Sequence, residues 1–291
     1  LNVGTHRGAI DVQMSPAPVE TFKKFEADMQ DAIFVSAANE GFTPALFLGG
    51  GHLNLGLDAF ENGNLLLRNF IVDLYNHNEL FLGIFNYDTA NGISWNIMPE
   101  LTQANLKLVI ERFDRGDFHG FMGQVRFLEA LQAELIREFD PIFLEWNPAA
   151  GRRSKQFAVN LKNVNGAFWG RLELRAFRPQ ASMNMYIRQI ELLRNRLGYL
   201  ERFEKPIAIS PRVPMTRVDP GNIAHRLNPP VDAQKALRSF YVYVRESGLL
   251  WTDHRDYLWP KWVIDGELEK FEKSVWIKKK QKMKCESELQ Q

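Results

Sequence analysis

The stretch of this 291-residue chain with the most chemical potential is Gly170-Arg171-Leu172-Glu173-Leu174-Arg175. In a strand, alternate residues share a face, so Arg171, Glu173 and Arg175 project together while Leu172 and Leu174 turn to the core. A carboxylate between two guanidiniums can be an exposed cross-sheet ion-pair ladder, worth at most about 1 kcal/mol per pair, and the motif alone favours that. It can also be a site: Glu173 holding a divalent cation, Arg171 and Arg175 neutralising phosphate or carboxylate oxygens with their planar forks. Gly49-Gly50-Gly51-His52-Leu53-Asn54 is the second candidate. Its glycines let backbone approach a ligand closely and leave His52 at a strand end with little shielding, with Asn54 on the same face. It matches neither a phosphate-binding loop nor the dinucleotide fingerprint, and in isolation it reads as a turn beside a hydrogen-bonded histidine. Asp11 and Gln13 form a third polar face, or simply a solvent-facing strand edge. Arg152-Arg153-Ser154-Lys155, just ahead of the strand bearing Asn160, could meet nucleotide phosphates through Arg153 and Lys155; a solvated loop explains it equally well.

The elements that must position these residues follow from periodicity. Residues 7–15 alternate, with Ile10, Val12 and Met14 on the core side, which predicts a strand closed by Pro16 and Pro18. Phe22, Phe25, Met29 and Ile33 then recur at helical spacing up to Gly41. A short apolar strand at 45–48 runs into the glycines, and His52 and Asn54 alternate with Leu53, Leu55 and Leu57. Helices are expected at 65–82, 101–113 and 121–139, with Gly116 and Pro141 as stops, followed by strands at 157–164 and 169–177. Ser182 should cap a helix whose apolar stripe is Tyr186, Ile190, Leu193 and Leu197. The Pro- and Arg-rich connection 206–230 leads to helices at 233–246 and 267–280. Interspersed strands and helices without regular βαβ units predict an α+β fold: a curved, mainly antiparallel sheet with helices on one face and the site on its concave polar face. Residues 1–200 form the expected catalytic domain and 201–291 a mostly helical extension with a basic tail.

Composition narrows the classes. Lys plus Arg number 36 against 35 Asp plus Glu, which argues against a dedicated nucleic-acid binder, and the lysines from Lys278 to Lys284 read as a solvated tail. Cys285 is the single cysteine, so a disulfide framework, a cysteine zinc cluster and a cysteine nucleophile are not expected, in keeping with a reducing, cytoplasmic setting. No apolar run nears the roughly 18 residues that cross a bilayer, and no membrane partner is expected. The chain starts at Leu1, which suggests that sequence preceded it. Trp251, Trp259, Trp262 and Trp276 either pack the core or dock a protein partner through the C-terminal extension.

Taken in order and spacing, these pieces resemble the amidoligase family, relatives of glutamine synthetase and glutamate–cysteine ligase. The likeness covers about residues 7–200: an acid-bearing strand before Ser15-Pro16, a helix, the Gly-rich run into His52-Leu53-Asn54, the Asn160 strand, and the Glu173-Leu174-Arg175 strand before a helix. The resemblance implies a glutamine synthetase-like domain that uses ATP and Mg²⁺ or Mn²⁺ to join a small-molecule or peptide carboxylate to an amine through an acyl phosphate. It implies catalytic roles for His52, Arg171, Glu173 and Arg175, metal ligation by Asp11, His52 and Glu173, and nucleotide contacts from Arg153, Lys155, Asn160 and Asn54. Asn54 stands where the family has a second histidine, the acid before Ser15-Pro16 is spaced differently, and the family's upstream strand with paired glutamates is not seen between Leu1 and Asp11. Those departures motivate two alternatives, a non-catalytic nucleotide-, peptide- or protein-binding relative and an amide-cleaving one.

Overall fold

The computed structural model describes residues 2–6, 9–15, 17–42, 51–61, 63–77, 100–119, 122–134, 159–160, 170–177, 180–210, 233–254 and 273. Strands and helices are mixed along the chain, as an α+β fold requires, and every strand pairing among the described residues is antiparallel. Two sheets are present there rather than one. Strand β1 (Asn2–His6) pairs with β2 (Ala9–Gln13) from Asn2↔Gln13 to His6↔Ala9. The expected strand at 7–15 is thus the second arm of a hairpin. Its first arm carries no apolar alternation from which it could be read, and Val12, expected toward the core, is exposed. The second sheet has the order β3 (Gly51–Gly56), β5 (Arg171–Phe177), β4 (Val159–Asn160), with β5 in the middle.

The helical run after β2 is divided: α1 (Val19–Lys24), α2 (Glu26–Met29), a π-helical stretch Gln30–Val35 and α3 (Ser36–Asn39). Gly41 ends it at φ 81°, a backbone state that glycine enters without steric cost. Helix α4 (Asn64–Asn76) begins as predicted and closes at His77; residues 78–82 lie outside the described set. Helix α5 (Glu100–Asp114) matches its prediction within a residue at each end, and α6 is helical over 122–134. Helix α7 (Met183–Leu200) is capped by the Ser182 hydroxyl, which accepts from the Met185 N–H at 3.2 Å. Helix α8 (Ala233–Glu246) follows, then a short 3₁₀ turn, Trp251–Asp253. The expected strand at 45–48 and helix at 267–280 fall outside the described residues, apart from a helical Lys273.

Helix α7 corrects a simple stripe. Of Tyr186, Ile190, Leu193 and Leu197, only Leu193 is fully buried, whereas Met183, Met185, Ile187, Leu192 and Leu200 also are. The reason is that α7 packs against two clusters. Met183 and Ile187 meet Val19 and Phe22 of α1, while Leu192, Leu193 and Leu200 join the main core of α4, α5, α6, the β3–β5–β4 sheet and α8. Tyr186 and Ile190 sit on the seam between them. Phe240, Tyr243 and Val244 of α8 belong to that same main core.

Beyond α7 the chain runs without helix or strand over Lys205–Ser210 along α4 and is held by two asparagines. Asn69 Nδ2 donates to the Lys205 carbonyl at 3.3 Å and its Oδ1 accepts the Ile207 N–H at 3.0 Å. Asn76 repeats this with the Ala208 carbonyl at 2.9 Å and the Ser210 N–H at 2.8 Å. Each amide stands in for a neighbouring strand, satisfying backbone that no sheet pairs. Arg68, ion-paired with Asp114, donates to the Ile207 carbonyl as well.

Candidate functional site

Register brings the candidate residues together. On β5, Leu172 and Leu174 are buried in the core, opposite Leu55 and Leu53 of β3, so Glu173 lies on the other face. Its pairing partners are Asn54 on one side and Asn160 on the other. Between Leu53↔Leu174 and Gly51↔Phe177 the register slips by one, and the extra residue of β5 falls opposite His52. A bulge of this kind re-aims a side chain at a strand end. The His52 ring closes on Glu173, with Nδ1 at 3.1 Å from Oε1.

The two members of this pair differ in setting. Glu173 is only 8% exposed, so its carboxylate is no part of a solvated ladder, whereas the His52 side chain is 39% exposed and reachable from solvent. Asn54 and Arg171 are exposed beside them. A shielded carboxylate oriented by an accessible imidazole can hold a cation or a proton-bearing group of a ligand.

Not every predicted residue can be followed this far. Asp11 and Asn160 have described backbone in β2 and β4, and Arg175 lies in β5, but their side chains lie outside the described set, as do Arg153 and Lys155 entirely. Among the described residues, no group of three His, Cys, Asp or Glu side chains gathers into a metal site.

Two further charged features carry no motif in the sequence. Gly56 ends β3 in extended backbone, φ −64° and ψ 147°, opposite Arg171. The Asp58 carboxylate occupies the space that a Cβ at position 56 would fill, and its Oδ1 accepts the Ala59 N–H at 3.1 Å. A strand-terminal Gly-x-Asp was the available signal. The second is internal: Arg196 of α7 donates to both carboxylate oxygens of Asp73 at 2.9 and 2.6 Å and to Glu246 Oε2 at 2.9 Å. Its guanidinium also lies 3.9 Å from the Tyr243 ring centre and 4.5 Å from that of Tyr199. Burial opposes the charge of Arg196, yet the hydrogen bonds it donates to Asp73, with the negative charges around it, prevail and its pKa is raised.

His254 is a further buried titratable group. It is 1% exposed, and neither ring nitrogen has a hydrogen-bond partner among the described residues. Burial first, and the positive charge of Arg188 second, push its pKa down to about 4, against opposing contributions from Glu191 and Asp253.

Comparison with protein-family models, curated proteins and solved structures finds no match to this chain.

Proposed function

We propose that this chain is an ATP- and Mg²⁺-dependent carboxylate–amine ligase of the amidoligase type, forming an amide or isopeptide bond. One observation carries the proposal: three stretches far apart in sequence, bearing His52 and Asn54, Asn160, and Glu173, meet on one sheet with Glu173 on the central strand. These are positions that the resemblance singles out for one site. It also implies that β3, β5 and β4 belong to a larger, curved glutamine synthetase-like sheet in a cytoplasmic enzyme.

The donor set suits the group it would hold. An imidazole beside a carboxylate accommodates Mn²⁺ or Mg²⁺ when substrate phosphates supply the remaining oxygens, and His52, Glu173 and Asp11 would be the protein ligands. The bound ion would neutralise charge developing on the transferred phosphoryl group. The chain's own residues do the rest. His52 orients Glu173, and Arg171 and Arg175 offer guanidinium forks to the phosphoryl or carboxylate oxygens. Arg153, Lys155, Asn160 and Asn54 are assigned to the nucleotide. ATP phosphorylates the substrate carboxylate; the amine nitrogen then attacks the acyl carbon and phosphate departs.

Asn54 opposite Glu173 favours a second possibility, because an amide supplies a weaker ligand than the histidine that the family places there. A relative that binds nucleotide or a peptide without turnover, or cleaves amides, would tolerate that exchange. ATP binding by calorimetry and phosphate release, measured with Mg²⁺ over a mixture of carboxylates and amines, separates them. Turnover that requires both co-substrates and disappears in Glu173→Ala and Arg175→Ala supports the ligase. Binding without turnover turns the assignment to the second possibility, and absence of ATP binding by the folded protein ends both nucleotide-based proposals.

A further inference from the structure

We propose that Arg68, Asn69 and Asn76 of α4 form a docking ladder for a linear peptide segment of a partner protein, and that residues 205–210 are its occupant in cis. The inference stands apart from the ligase assignment, because it uses none of the residues of the β3–β5–β4 sheet.

The inner end of the ladder is built by two helices without help from the segment. The Asp114 carboxylate of α5 accepts from Arg68 Nε and Nη2, both at 3.0 Å, and Arg68 Nη1 donates to Asn69 Oδ1 at 3.2 Å. A guanidinium can only donate, so it fixes which end of the Asn69 amide is oxygen and turns Nδ2 the other way. Arg68 and Asn69 are buried beneath the segment. A buried amide without a partner is costly, so a row held ready in this way calls for an occupant.

What the row reads is backbone. Among the described residues, the hydrogen bonds that Arg68, Asn69 and Asn76 make with the segment go to the carbonyls of Lys205, Ile207 and Ala208 and to the N–H groups of Ile207 and Ser210. Lys205, Pro206, Ala208 and Ser210 are exposed, and only Ile207 and Ile209 lean on the core, half-buried. Main-chain groups are common to every peptide, so the demands on an occupant are few: an N–H at its third and sixth residues, hence no proline there, and apolar side chains at its third and fifth. Proline at the second residue is accepted, as Pro206 shows. A segment attached through backbone bonds and two half-buried side chains leaves by local opening, without unfolding the molecule. Its tether gives it a high effective concentration, so a partner's peptide of the same pattern docks fully only once the cis segment has been weakened or displaced.

The test uses the full chain and the double variant Ile207→Pro, Ser210→Pro, which removes the two N–H groups that the asparagines accept and leaves the ladder itself intact. The probe is a fluorescein-labelled, end-capped peptide with the sequence of residues 204–211, followed by fluorescence anisotropy beside the same peptide N-methylated at the positions of Ile207 and Ser210. Saturable binding to the variant, at least about tenfold weaker both with wild-type chain and with the N-methylated peptide, supports the proposal. No saturable binding to the folded variant, or equal binding by the two peptides or to the two chains, overturns it. Should the variant fail to fold, hydrogen exchange on the wild-type chain decides. Ile207 and Ser210 amides that exchange at least about a hundredfold faster than those in the middle of α7, and faster again with excess peptide, support the proposal. Amides that exchange only on global unfolding, or that do not respond to the peptide, overturn it.

Discussion

Two of the acid–base clusters among the described residues are built to opposite specifications. In the core, Arg196 and Asp73 are each 3% exposed at the side chain, joined by two hydrogen bonds, closed by Glu246 and flanked by two tyrosine rings. On the sheet, the shielded Glu173 has an exposed histidine for a neighbour. In the first, the charges answer one another within the protein, and the cluster fastens α4, α7 and α8 together. In the second, one side faces solvent and a ligand can compete for the pair. An acid–base pair can therefore serve cohesion or stay open to a ligand according to whether its partner set is complete inside the fold.

The largest expected effect breaks the core cluster. Asp73→Ala leaves Arg196 buried with half its partners gone and should cost about 3–5 kcal/mol of stability by urea denaturation. Joint replacement of Asp73 and Arg196 by leucine should recover much of that loss, because an apolar pair leaves no stranded charge. Full retention of stability in Asp73→Ala alone would refute the cohesive role.

Glu173→Gln should act the other way. It keeps the shape of the side chain, and it should reduce ATP turnover by about a hundredfold while shifting stability far less than Asp73→Ala. A thermal melt and a phosphate-release assay on the same preparation check both halves, and a variant that unfolds without a specific activity defect would make Glu173 structural.

The pH dependence of stability sharpens the contrast, because His254 is a buried base whose acidic neighbours, Glu191 and Asp253, do not outweigh its burial. Its folded pKa, about 4, lies below the unfolded value near 6.5, so between those limits the unfolded chain binds a proton that the native state refuses. This contribution to stability is complete above about pH 6.5 and is lost as pH falls toward 4, a change on the order of 3 kcal/mol. His254→Phe should flatten that limb of the stability curve, and an unchanged slope would place the titration elsewhere. The smallest effect belongs to Ser182→Ala, which removes the α7 cap and should cost about 1 kcal/mol while leaving both clusters intact.

Local pattern made much of the fold legible. The Ser182 cap, the limits of α5 and the alternation of Leu172 and Leu174 about Glu173 all follow from residues within a turn or a strand of one another. What escaped was non-local or carried no sequence mark. Pairing of Glu173 with both Asn54 and Asn160, and the one-residue slip beside His52, are properties of register that no single strand contains. The π-helical stretch at Gln30–Val35 interrupts apolar spacing that reads as one helix. Arg196 and Asp73 carry no sequence mark of burial, because such residues are ordinarily at the surface. Nothing local to Gly56 marks that the Asp58 side chain folds over it.

The asparagine-held segment has a metrical consequence. Asn69 and Asn76 are seven residues apart on a helix, a rise of about 10.5 Å, while the backbone groups they grip are three residues apart, a gap that spans about 10 Å only when the chain is stretched out. Two lattices with different repeats thus coincide at two points, like the graduations of a vernier. One inserted residue between Ile207 and Ala208 would let either asparagine engage but not both, so the length of this segment is fixed more tightly than its side chains are.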